Sequence, residues 1–144
     1  MASAAPTLIL YPVFAMFFLV AVVLLRLRSM RFAAVRSGEV RASFYRTYPE
    51  GGEPERLRVV SRHYVNLFEM PVLFYVGVLM TYVSQHVTYW MVYCAWAYVA
   101  LRYLHSYVHL TSNNVPVRFT LYFASAFVLL VLWSSLLVQL VREG

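Results

Sequence analysis

The stretch from Leu8 to about Leu27 carries no charged side chain before Arg26, and three further apolar stretches of similar length follow it. They run from about Val59 to Val83 with Glu69 inside, from about Val87 to Leu110 with Arg102 inside, and from Pro116 to Val141 with Arg118 near the start. A helix needs roughly 20 mostly apolar residues to cross the hydrocarbon core of a bilayer. Backbone polar groups in lipid must be satisfied within the segment, which favours the helix. Composition agrees. The chain is 62% hydrophobic and 12% charged, against about half and about a quarter in an average soluble protein. That excludes an ordinary water-soluble domain and a disordered chain. The expected fold is all-α, a polytopic membrane four-helix bundle forming one domain over residues 1–144. Met1 to Ala5 carry no lysine or arginine, unlike the positive start of a signal peptide, so the first stretch reads as a permanent span.

The connections are unequal. Ser84 to His86 and Thr111 to Val115 are short, which makes the helices they join antiparallel neighbours. Asn113 and Asn114 suit a turn, and Pro116 suits a first helical position. The connection from about Arg28 to Arg58 is long and contains Ser37-Gly38 and the run Pro49 to Pro54 as breakers. The net charge of +6 comes from arginine alone, with nine of the twelve arginines between Arg26 and Arg62. Arginine-rich flanks mark the cytoplasmic side. The loop over 28–58 and the 111–115 link are therefore expected to be cytoplasmic, with both termini and the turn near Gln85 on the other side. The absence of a cleavable signal and the compact loops suit a bacterial inner membrane, and an endoplasmic reticulum protein would look much the same. The basic flanks read as topology and anionic-lipid signals rather than a nucleic-acid surface. The single cysteine, Cys94, excludes a disulfide framework and reads as a packing residue. The aromatics from Tyr89 to Tyr98 read as an interface belt and helix packing.

Ionisable residues inside a span are costly and must face protein, water or a ligand. Arg62, Asn66 and Glu69 sit at i, i+4 and i+7, as do Arg118, Tyr122 and Ser125, and Arg102, His105 and His109 sit at i, i+3 and i+7. Each set lines one helical face. All three stripes lie toward the cytoplasmic side. Glu69 is expected roughly 15 Å deep and Arg102 roughly 12 Å deep from the helix rise, so the two can pair. That pair either sets helix register or contributes to a site. The remaining residues converge as a positive cluster suited to an anionic polar ligand. Pro71 is expected to kink the second span and free the Leu67 carbonyl. His105 and His109 also have metal-ligand spacing, with Glu69 or His63 as a third candidate, but Arg102 and Arg118 oppose a cation, and no metal is expected.

The stretch Arg62-His63-Tyr64-Val65-Asn66-Leu67-Phe68-Glu69-Met70-Pro71 resembles a family motif. So do Arg102-Tyr103-Leu104-His105 and Asn113-Asn114-Val115-Pro116-Val117-Arg118 with Tyr122. Together they are similar to the MAPEG superfamily, membrane-associated proteins in eicosanoid and glutathione metabolism. The resemblance covers the last three spans. It implies a homotrimer of four-helix protomers that binds glutathione between subunits in the cytoplasmic half. It implies a glutathione transferase or peroxidase acting on lipophilic small molecules, or a lipid-binding relative without catalysis. Residue by residue, it assigns glutathione contacts to Arg62, Asn66, Glu69, Arg102, His105 and Tyr122, with His109 on the same face where a tyrosine is common. Arg118 matches the arginine that stabilises the thiolate, the catalytic role. Val65 stands in place of a second arginine, Phe119 in place of a serine, and Tyr64 in place of a histidine.

Overall fold

The computed structural model describes residues 2–48 and 52–143. A 3-10 turn, Pro6–Leu10, leads into α1, Tyr11–Arg36. A short α2, Phe44–Thr47, precedes α3, Glu55–Asn66, and α4, Met70–Val83. The last two helices are α5, Tyr89–Leu110, and α6, Val115–Glu143. Among the described residues the only strand-like feature is an isolated antiparallel bridge between Ser3 and Thr88.

The first helix runs well past the expected end at Leu27. Beyond that point Leu27 and Ala34 lie two turns apart on one face and are both buried. Ala34 joins Val40 and Leu57 in a small core, with Met30, Phe44 and Tyr45 packed against it. Burial of that face extends the helix and folds much of the long connection back onto it. The stop falls at the expected breaker. The Ser37 amide donates to the Ala33 carbonyl at 2.9 Å, and Gly38 takes a left-handed φ of 77°, the conformation that closes many helices. Of the second breaker run, Pro49 to Gly51 lie outside the described residues, and Pro54 sits at the N-cap of α3.

The second expected span is two helices. Pro71 occupies the first turn of α4, where its missing N–H costs nothing. The backbone tightens before it: the Phe68 amide donates to Val65 at 2.8 Å and the Glu69 amide to Asn66 at 3.4 Å, each three residues back. Glu69 itself leaves helical geometry, with φ −93° and ψ −97°. The expected kink is thus a full break, because proline's ring opposes the carbonyl four residues back and disfavours helix in the residue before it.

The main core is shared by the long helices. Met16 and Val23 of α1 meet Phe74 and Val78 of α4, Met91, Ala95 and Tyr98 of α5, and Leu132 and Leu136 of α6. Phe74 and Tyr98 stack at 4.6 Å between centroids. Gly77 allows α6 to approach α4, since a Cβ there would lie 3.0 Å from Trp133 Nε1. The Thr88 hydroxyl caps α5 by accepting from the Met91 amide at 3.3 Å. The Ala4 amide donates to the Val87 carbonyl at 2.9 Å, so the N-terminus and the 84–88 turn share one end of the molecule.

Three helical stretches among the described residues are long and apolar enough to cross a membrane: Pro6–Arg36, Glu55–Val83 and Val115–Arg142. The expected third span is a regular helix, but Arg102, His105, Ser106 and His109 on its inward face make it less apolar than the others.

Candidate functional site at one end of the helices

The end opposite the N-terminus carries a cleft of about 780 Å³. Arg62 and Asn66 reach it from α3, Glu69 from the break, His109 from α5 and Arg118 from α6. A recess of about 150 Å³ shares Asn66, His109 and Arg118 with the cleft and adds His105 and Tyr122. Arg102 is wholly buried and bonded to Asn66, which lines both. The structure therefore brings all eight expected residues around one region.

Arg102 is the most constrained of them. Its Nη2 donates to the Asn66 side-chain oxygen at 2.5 Å and to the Asn66 carbonyl at 3.4 Å. The guanidinium carbon lies 5.7 Å from the Tyr122 ring centroid. Its Nε and Nη1 are buried without an acceptor. The expected Glu69–Arg102 ion pair does not form: the ion pairs among the described residues are Arg31–Glu53 and Arg56–Glu39. Asn66 stands between them, donating from Nδ2 to Glu69 Oε2 at 3.0 Å. The break before Pro71 explains this, since it takes Glu69 off the helical face it would share with Asn66 and leaves its side chain exposed.

Arg118 is placed by the turn before α6. Asn113 adopts a left-handed φ of 49° and accepts from Arg118 Nη1. The Asn114 side-chain oxygen accepts from the Val117 amide at 3.2 Å, the bond of a helix N-cap. These two asparagines start the helix and orient the first arginine on it.

Behind the cleft, three imidazoles pack together. His63 lies 4.8 Å from His109 and 5.7 Å from His105 between ring centroids. His63 is fully buried, and neither ring nitrogen has a partner. Among the described residues no group of histidine, cysteine or acidic side chains is disposed to hold a metal ion. In the sequence His63 stands out only as a possible metal ligand. Its signal lay in the inward stripe Leu57, Val60, His63 and Leu67, all buried at helical spacing.

The outer wall was not anticipated. Arg31, at the end of α1, donates from Nη2 to Ser61 Oγ at 3.1 Å and lies 3.6 Å from Glu53. Its guanidinium lies 5.1 Å from the Tyr45 ring and 5.5 Å from that of Tyr48. Burial first, and the Glu53 carboxylate second, raise the Tyr45 hydroxyl above its ordinary pKa of 10.0. Tyr48, Glu53 and Arg58 thus join Arg31 on the wall of the cleft. No local pattern announces this, because it depends on how the long connection folds back.

Val65 and Phe119 are both largely exposed. Phe119 lines the recess, so apolar surface stands beside Arg118 there.

The sequence matches the family model described as MAPEG family over residues 8–138. No curated protein and no solved structure gives a significant match. The matched residues span every long helix and all eight residues gathered at the cleft. With that match over most of its length and three helices able to cross a bilayer, the chain is an integral membrane protein that belongs to the MAPEG family.

Proposed function

We propose that the cleft binds glutathione and that the protein is a glutathione-dependent transferase or peroxidase acting on lipophilic electrophiles. The observation that carries the reading is the gathering of basic and polar side chains from α3, α5 and α6 around one cleft, with the buried Arg102 held behind it by Asn66. Guanidinium groups converging on a cleft favour an anionic ligand. Arg58, Arg62 and Arg118 add positive charge on the cleft wall, and Glu69 offers a carboxylate for an ammonium. Glutathione has two carboxylates, one ammonium and one thiol, so this donor set suits it. The cleft also falls within the size range of roughly 300–1,000 Å³ typical of small-molecule sites.

In this reading Arg118 holds positive charge beside the thiol and favours the thiolate, the nucleophilic form. In a transfer the sulfur forms a carbon–sulfur bond, and the leaving group departs with its electron pair. Tyr122 and His105 border the recess where the two reactants meet. We place the cleft on the cytoplasmic side, both termini on the other, and the protein in a bacterial inner membrane. We read α1, α3–α4, α5 and α6 as four spans of a single domain, and three chains as the assembled unit.

A second reading is a non-catalytic lipid-binding or accessory protein on the same scaffold. The exposed phenyl ring of Phe119 at the recess favours it, since it offers no hydrogen bond to a thiol. Reactive aryl halides and lipid peroxides separate the two. Wild-type protein should consume glutathione with such substrates, and Arg118→Ala should lose at least about 100-fold in turnover, the scale of a lost charge-stabilising donor. The variant should keep the trimeric mass of the wild type. Thiol consumption unchanged by Arg118→Ala would remove that residue from the mechanism. A monomeric wild-type mass would remove the trimer.

A further inference from the structure

A second groove, of about 230 Å³, adjoins the cleft between the later turns of α1 and Tyr64 of α3. The exposed Leu24, with the buried Leu27 behind it, forms its apolar part, and Phe32, Arg28 and Arg31 its other end. The two arginines differ in their surroundings. Arg31 is engaged by Glu53, Ser61 and Tyr48. Arg28 has no carboxylate partner among the described residues. Its guanidinium carbon instead lies 5.4 Å from the centroid of Phe32, an exposed ring. Arg28 and Phe32 are one turn apart on α1, so the stacking holds the cation at the groove's end.

The position of the groove says what fills it. It lies in the final turns of the apolar stretch Pro6–Arg36. Below it the same helix exposes Phe14, Phe17, Phe18 and Leu25, a surface suited to acyl chains. From Leu24 to Arg28 the helix climbs roughly 6 Å, the step from the top of an acyl chain to its headgroup. A neutral ligand would make no ion pair with Arg28, and a small soluble anion would leave the exposed Leu24 and Phe32 uncovered. We propose that this groove binds one anionic membrane phospholipid, with its phosphate on Arg28 and an acyl chain against Leu24. The groove shares Leu27, Arg31 and Tyr64 with the cleft, while Leu24, Arg28 and Phe32 line the groove but not the cleft; the lipid reading rests on those three and not on what the cleft holds.

The test uses the full chain in phosphatidylcholine nanodiscs with increasing phosphatidylglycerol, reading the thermal midpoint. A saturable upward shift is expected. In Arg28→Gln the phosphatidylglycerol concentration for half the shift should rise about fivefold, the effect of one arginine at an anionic surface. In Arg26→Gln, whose side chain is exposed but does not line the groove, the curve should stay close to wild type. Leu24→Trp fills the apolar end and should weaken binding as Arg28→Gln does, which keeps the test valid if either variant folds poorly. Equal weakening in Arg26→Gln and Arg28→Gln would overturn the site in favour of diffuse surface charge. The same shift with inorganic phosphate would overturn the lipid, and no shift with phosphatidylglycerol would overturn the proposal outright.

Discussion

Asn66 carries more of the site than its size suggests. Its side-chain oxygen accepts from Arg102 while its nitrogen donates to Glu69. Replacing it with alanine leaves Arg102 without that side-chain acceptor in a fully buried place. Asn66→Ala should therefore cost about 1.5–3 kcal/mol, the range for a hydrogen bond to a charged group. Glu69→Gln should cost less than about 1 kcal/mol, since Glu69 is exposed and does not touch Arg102. Thermal unfolding in detergent measures both, and a larger loss for Glu69→Gln would mean that the carboxylate neutralises Arg102 after all. The polar stripes were legible in sequence because helical spacing fixes which residues share a face. The identity of Arg102's partner was not, because it depends on the break before Pro71. His63 was hidden because a buried histidine in an inward stripe looks like any polar interruption until its neighbours are known.

The helices themselves were readable from their apolar length and their stop signals. Gly38, Asn113, Asn114 and Pro116 end or start helices where turn chemistry places them. The helix of the first apolar stretch continues past Leu27 to Arg36, since the tertiary burial of Ala34 against Val40 and Leu57 extends it and no local signal reports that. The fit between α4 and α6 was likewise invisible. A methyl group at Gly77 would meet Trp133, whose indole nitrogen donates to the Leu73 carbonyl at 3.2 Å. That bond resists the ring shift a larger residue demands. Gly77→Ala should lower stability by about 1–3 kcal/mol, the usual cost of overpacking. A variant as stable as wild type would show that the indole moves aside freely.

At the scale of the whole molecule, the helices converge so that five separate elements supply one cleft: α1, the α2–α3 connection, α3 with its break, α5 and α6. Most of the positive charge of the chain gathers at this end, and the N-terminus lies at the other. We propose that this concentration of guanidinium groups holds glutathione. A ligand that binds only the folded state stabilises it by about 2.7 kcal/mol at 100 times its dissociation constant. The most direct measurement is the thermal midpoint of the purified protein in detergent as glutathione rises through the millimolar range. A saturable increase that disappears in Arg118→Ala is the predicted result. A midpoint that does not move at any glutathione concentration would mean that the cleft does not bind glutathione.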